Sequence, residues 1–362
     1  KIQIGTAFSQ RDRYLAVAKT IKNLNHSRSI LAFASIAAPP QSNQMQNSWP
    51  IVESVLGVFL VIALGALARQ IGWLNRESDK SLANLTTNVL LPAYFLQKIL
   101  LSDHPILGMD VLTAPLFGLG VTSLGFVLAL LFSRQLGPKI GLTSDSSQRA
   151  FALCVGVCNY GFIPLPLAEQ YYPDALVDLI LHNVGVNLAL WSVGIAVISG
   201  TMLGGLKKAF LTPPFLSVIV AVICRQQMHQ TSIPSSVSTC IESVGGCAIP
   251  MGLLLSGAIM VDFIKEATWR GSFRIVLAAI GLRHLIFPVL ILLTASLMCD
   301  STTMREVMLL QAAMPAAIFP IVIVKLYDHD LDTALRVVLA SSLFGVLTIP
   351  IWLTVGANWL LP

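Results

Sequence analysis

Cys154 to Asp174 reads CVGVCNYGFIPLPLAEQYYPD, and it pulls in two directions. From Ala150 to Ala168 nineteen residues carry no charge, as in a segment that passes through lipid. Yet Asn159, Gly161, Pro164 and Pro166 fall in its middle. A proline removes one amide donor and pushes aside the carbonyl four residues back, and neither group can stay unsatisfied in hydrocarbon. An interruption here must therefore face protein or water.

The remainder of the chain argues for the membrane. Of 362 residues 55% are hydrophobic and only 11% charged, with a mean hydropathy of +0.76, against about a quarter charged in soluble domains. Uncharged runs such as 111–133, 179–206 and 307–324 approach or exceed the ~20 residues that cross ~30 Å of hydrocarbon. These runs are continuous rather than alternating, which selects helices over barrel strands. The expected fold is an all-α integral membrane protein with ten transmembrane helices. The spans fall near 50–70, 82–101, 111–133, 149–170, 176–203, 210–225, 236–261, 273–298, 305–326 and 334–358.

Lys and Arg in short loops resist translocation and so set the orientation. The loops after the odd-numbered spans hold thirteen: Arg69, Arg76, Lys80, Arg134, Lys139, Arg149, Lys207, Lys208, Lys265, Arg270, Arg274, Lys325 and Arg336. Those after spans two, four, six and eight hold only Lys98, Arg225 and Arg305. The first set is expected to be cytoplasmic, with both ends of the bundle outside, and the membrane to be a bacterial inner (plasma) membrane. This conflicts with the start of the chain, where 1–44 carries Lys1, Arg11, Arg13, Lys19, Lys22 and Arg28 against Asp12 alone. Within the basic N-terminal segment 1–48, residues 1–44 read as an overlong start ahead of Met45, a cleaved targeting segment or a genuine appendage.

Five spans in each half, an odd number, turn the second half upside down relative to the first, the architecture of many secondary transporters. The expected division is 49–206 and 207–362. Internal similarity supports it: NVLLPAYFLQKIL (88–100) answers GCAIPMGLLLSGAIM (246–260), matching Pro92 to Pro250. Span four, broken around Asn159 to Pro166, answers span nine, broken around Met314 to Pro320 in QAAMPAAIFPIVIVK. Paired broken helices at matching positions point to a substrate site near the midplane. Half-helix ends present amides with a partial positive charge, suited to a carboxylate.

The same residues carry a family resemblance. CNYGFIPLPL resembles the Asn-containing crossover of the auxin efflux carrier family, which includes the plant PIN-FORMED exporters and bacterial malate and malonate carriers. MPAAIFPIVIVKLYDHDLDTALRVVLASSLFGVLTIPIW, LANLTTNVLLPAYFLQKI and FLVIALGALARQIGWLNRE are similar to its spans nine to ten, two and one. The resemblance covers about residues 49–362. It implies two inverted five-helix repeats, a scaffold of spans one, two, six and seven that dimerises, and a transport domain that moves like an elevator. It also implies that the crossover Asn falls on Asn159 and the crossover prolines on Pro166 and Pro315. Two prolines, Pro164 and Pro166, stand where one is usual, and Ala316 and Ala317 replace more polar or flexible residues of the plant carriers. The long cytoplasmic loop of many plant exporters is missing. Auxin specificity therefore does not follow.

The expected binding residues are Asn159, Tyr160, Gly161, Pro164, Pro166, Pro315, Ala316 and Pro320. Asn183 and Asn187 on one face of span five, Asn88 on span two and Arg283 on span eight join them. Helix-to-helix hydrogen bonding competes as a role for the asparagines. Pairing of Arg283 with a helix end competes with anion binding. His182, His284 and Glu242 are candidates for ion coupling, weighed against packed histidines and a solvated acid. The six cysteines form no metal or disulfide pattern, and P-loop, HExxH, GxSxG and EF-hand motifs are absent. No enzyme, cofactor, metal or nucleic-acid partner is expected. The function expected is alternating-access transport of a small organic anion such as a carboxylate, with a proton, sodium ion or the membrane potential as driving force. The alternative is a channel or solute sensor on the same fold. An intramembrane enzyme would need a carboxylate partner for His182, Arg283 or His284, and none stands at evident spacing.

Overall fold

Apolar runs too long for a soluble core become helices because only a helix satisfies its own backbone in lipid. The computed structural model describes residues 48–102, 110–200, 210–227, 233–269 and 273–361. Nearly all of the basic segment 1–48, the connector bearing Lys207 and Lys208, and Arg270 lie outside the described residues.

The first helix, α1, is Ser48–Gln70. Asn75 caps α2 (Arg76–Leu85), which continues through a π-helical turn at Thr86–Leu90 into α3 (Leu91–Leu100). Next come α4 (Asp110–Gln135), α5 (Asp145–Gly156) and α6 (Pro164–Tyr171). Ser144 and Ser147 form a capping box at the start of α5. Then α7 (Leu176–Ala189) runs through a π turn at Leu190–Gly194 into α8 (Ile195–Ser199). The second half holds α9 (Pro213–Gln227), α10 (Ser235–Gly245) and α11 (Ala248–Glu266). It continues with α12 (Phe273–Gly281), a π turn at Leu282–Ile286, and α13 (Phe287–Met298). It ends with α14 (Thr302–Ala313), α15 (Phe319–Leu326) and α16 (Leu331–Leu360), the last capped by Asp330.

Among the described residues six helical stretches are long and apolar enough to cross a membrane: Trp49–Gln70, Val111–Gln135, Pro173–Ser199, Ser235–Glu266, Phe273–Met298 and Leu331–Leu360. Among the described residues there is no β-strand, only an isolated antiparallel bridge between Cys158 and Ala316. Three details differ from the sequence reading. The second helical stretch begins at Arg76 rather than near 82, because Asn75 supplies a cap the hydropathy pattern does not show. The stretch read as 236–261 is split between Gly245 and Ala248. The third difference concerns the prolines. Pro164, Pro166 and Pro320 do not sit in the interruptions but in the first turns of α6 and α15, where a missing amide costs nothing and the fixed φ suits the helix. Pro115 and Pro350 lie inside unbroken helices, so proline alone does not set the break.

Two groups of helices are visible in the packing. In one, α1 lies against α11, and α3 against α9 and α10. In the other, α4 lies against α5 and α7, and α14 against α13 and α16. The α1–α11 contact is so close that a Cβ on Gly65 would stand 1.9 Å from the Leu254 carbonyl oxygen, and one on Gly257 1.8 Å from that of Ile62. Small residues permit this backbone approach, which in lipid must supply the attraction that the hydrophobic effect supplies in water. Leu60, Val220, Leu285 and Leu347 remain exposed on the outside, as a lipid-facing surface requires.

Candidate functional site

The two interruptions meet. Between α5 and α6 the chain is non-helical from Val157 into the turn before Pro164, and between α14 and α15 from Met314 to Ile318. The Asn159 amide donates to the Pro315 carbonyl at 2.7 Å, and the Ala317 amide to the Val157 carbonyl at 3.2 Å. The breaks thus satisfy each other's backbone groups where the two segments meet.

The remaining polar groups of the break are taken up by neighbouring helices. Pro315 cannot donate to the carbonyl of Gln311 four residues back. Arg283 shares that role with the Met314 amide: its Nη2 donates to the Gln311 carbonyl at 3.2 Å, the Met314 amide to the same carbonyl at 3.4 Å, and Arg283 Nε to the Met314 carbonyl at 2.9 Å. The Ala316 amide donates to Ser341 Oγ on α16 at 2.9 Å. Ser341 Oγ lies 2.9 Å from His284 Nε2, and His284 Nδ1 lies 2.8 Å from Thr348 Oγ1. Both ring nitrogens of His284 thus face hydroxyls of α16, one to each side. The carbonyl of His284, freed by Pro288 four residues on, accepts from Trp352 Nε1 at 2.7 Å. The π turn at Leu282–Ile286 brings the consecutive Arg283 and His284 side chains into the interior together.

A second chain of side chains crosses from the other side. Cys158 Sγ donates to Gln311 Oε1 at 2.8 Å, and Gln311 Nε2 donates to Asn183 Oδ1 at 3.2 Å. This ties α7, α14 and the break after α5 together.

Sequence-derived candidates therefore separate. Asn159, Tyr160, Gly161, Pro315 and Ala316 lie at the crossing itself, while Pro164, Pro166 and Pro320 open the half-helices that follow. The side chain of half-buried Asn159 has no hydrogen-bond partner among the described residues, and a Cβ added to Gly161 would meet open space. Asn183 is engaged by Gln311, whereas Asn187, half-buried one turn on, has no side-chain partner among the described residues. Arg283 holds the end of α14 rather than standing free. His284 has both nitrogens occupied by hydroxyls. His182 is 2% exposed with neither ring nitrogen partnered. Asn88 is exposed on the π turn between α2 and α3. Glu242 is exposed on α10 and accepts from Ser238 Oγ at 3.0 Å, as a solvated acid does. The amides at the start of α6 are fewer than a plain helix end offers, since Pro164 and Pro166 have none and Leu165 bonds to Gly161. Gln311, Ser341 and Thr348 escaped the sequence reading. Gln311 alone had a legible signal, as a polar residue four before a proline inside an apolar run.

On one flank α6 is tethered to α1 and α3. Tyr94 Oη donates to Glu169 Oε1 at 2.7 Å and Lys98 Nζ pairs with the same oxygen at 2.8 Å. Tyr171 Oη donates to the Pro50 carbonyl at 2.5 Å and sits 2.6 Å from Ser54 Oγ.

A family model described as membrane transport protein matches this chain twice, over residues 50–203 and 199–353. An uncharacterized transporter of Methanothermobacter thermautotrophicus is 23% identical over 312 residues, covering 83% of this chain and 96% of the relative. One of Methanocaldococcus jannaschii is 22% identical over 309 residues, covering 83% and 97%.

Proposed function

We propose, from the premise that this chain belongs to the auxin efflux carrier family of membrane transport proteins, that it is a secondary carrier of a small organic anion working by alternating access. The single observation behind this reading is the pairing of the two interruptions through Asn159 to Pro315 and Ala317 to Val157. In this reading the six long helices are joined by four further crossings, 76–100, 213–227 and the interrupted pairs 145–171 and 302–326. They make ten spans in two inverted repeats, with both bundle ends outside. The twofold match of the family model is in keeping with two repeats.

The solute is bound at the crossing by the Asn159 side-chain amide and the backbone amides of Tyr160 and Gly161. A carboxylate accepts hydrogen bonds from such amides, and the start of α6 adds a favourable dipole. The packing division suggests what moves: α1, α3, α9, α10 and α11 stay as scaffold and dimer platform, while the crossing travels with α4, α5, α7, α13, α14 and α16. The Tyr94, Lys98 and Ser54 contacts to α6 then close one side. Purified protein in liposomes loaded with a carboxylate should show saturable counterflow. Asn159→Ala should fold normally and lose solute-induced thermal stabilisation. Unchanged transport by Asn159→Ala at every solute concentration removes the site from the crossing.

A further inference from the structure

A cavity of about 420 Å³ lies behind the crossing, between α4 and the stretch from Arg283 to Met298. Its volume falls in the range of small-molecule sites, roughly 300–1,000 Å³. Its two long walls are apolar, with Phe117 and Val121 on one side and Phe287 and Ile291 on the other. Leu116, Leu124, Leu290 and Met298 line it and are themselves exposed on the lipid-facing surface, so it opens sideways into hydrocarbon.

The inner end is different. Cys158, His182, Arg283 and Gln311 line the cavity there, and no acidic residue does. Arg283 is 2% exposed and, among the described residues, in no ion pair. Its two carbonyl partners and the Phe287 ring, whose centroid lies 5.8 Å from the guanidinium, supply dipoles and a π face but no counter-charge, and the carbonyls engage only part of a group with five N–H donors. A cation without a counter-charge inside a membrane is costly and favours an anion beside it. His182 adds an independent sign, because both its buried ring nitrogens lack partners while it lines this space. A buried polar group left this way usually awaits one.

We propose that this cavity is a second binding site, distinct from the crossing, for a single-chain amphiphilic monocarboxylate that enters laterally from the bilayer. The carboxylate sits at the Arg283 and His182 end, and the apolar chain lies between α4 and α13 toward the lipid. A phospholipid fits less well, since its bulky charged headgroup stays at the bilayer surface while Arg283 and His182 are each about 2% exposed and buried among helices. The site goes beyond the carrier reading, as the cavity includes Cys158 but neither Asn159 nor Pro315.

The test uses the full chain in nanodiscs of zwitterionic lipid and a photoreactive palmitate analogue. Gly120 lines the cavity, and a Cβ added there meets no heavy atom within 4 Å, so Gly120→Leu fills the space without disturbing packing. Labelling should be saturable, map to 116–128 and 287–298, compete with palmitate, and fall at least tenfold in Gly120→Leu. His182→Leu should weaken it severalfold while the protein melts as before. Methyl palmitate, which keeps the chain but loses the charge, should not compete. Labelling unaffected by Gly120→Leu, or spread evenly over all exposed helices, overturns the site; equal competition by methyl palmitate overturns the carboxylate assignment. Counterflow by Gly120→Leu should match wild type. Loss of counterflow in the wild type with labelling intact would sink the carrier reading alone.

Discussion

Ser341→Ala tests whether the last helix holds the crossing in place. The side chain is fully buried and serves two partners, the Ala316 amide at 2.9 Å and His284 Nε2 at 2.9 Å. Ala316 is itself fully buried, so no water replaces the lost oxygen. Each orphaned buried polar group costs about 1–3 kcal/mol, and two together about 2–6 kcal/mol, with only a small gain from removing the hydroxyl's own desolvation. Ser217→Ala is the control. Ser217 is also buried, but its hydroxyl bonds only to the Pro214 carbonyl of its own helix, so the change orphans no donor and should cost under about 1 kcal/mol. Reversible unfolding of both variants in mixed micelles, followed by circular dichroism, gives the comparison. Transport should fall in Ser341→Ala along with stability, because the freed Ala316 amide loosens the backbone that pairs with Cys158. If the two variants differ by less than about 0.5 kcal/mol, the Ala316 amide has another partner and the coupling from α16 to the crossing is wrong.

Two other outcomes are expected. Gly257→Val should prevent close approach of α1 and α11, since even a Cβ would lie 1.8 Å from the Ile62 carbonyl oxygen; size-exclusion profiles and melting should show a misassembled protein, and a normal melt would refute the contact. Glu169→Gln removes the charge that Lys98 pairs with but keeps an acceptor for Tyr94. The half-exposed ion pair is worth ~0–1 kcal/mol, enough to shift a balanced access equilibrium up to about fivefold, read as labelling of a cysteine placed at Tyr160; identical labelling rates in both proteins would remove this contact from the closing surface.

The sequence reading reached the paired interruptions because they break a strong pattern: Asn159, Gly161, Pro315 and Pro320 stand out against apolar surroundings. It misplaced their edges by a few residues because proline reads as a breaker wherever it appears, while in the folded chain Pro164, Pro166 and Pro320 begin helices. Whether a proline interrupts depends on who satisfies the freed carbonyl. For Pro288 that partner is Trp352 and for Pro315 it is Arg283, both distant in the chain. Such partners leave no periodic trace. The same applies to Ser341, one hydroxyl residue in an ordinary apolar helix until its position opposite Ala316 is known. Arg283 was visible as an intramembrane charge, but its choice between anion and helix end could only be read from geometry.

The hydrogen bonds at the crossing also bear on where a solute can bind. The carbonyls of Gln311 and Met314 are taken by Arg283, that of Pro315 by Asn159 and that of Val157 by Ala317, while the Ala316 amide is held by Ser341. The α14 side of the crossing is thus closed by protein partners. The α5 side is not, since the Asn159 side chain stays unpaired and Gly161 borders open space. Two breaks that look equivalent in sequence are therefore unequal in chemistry: one is a fixed strut and the other carries the free donors. In the proposed carrier the transported solute meets its donors on the Asn159 side, so substitutions at Asn159 should change transport affinity while those at Ser341 should first change stability.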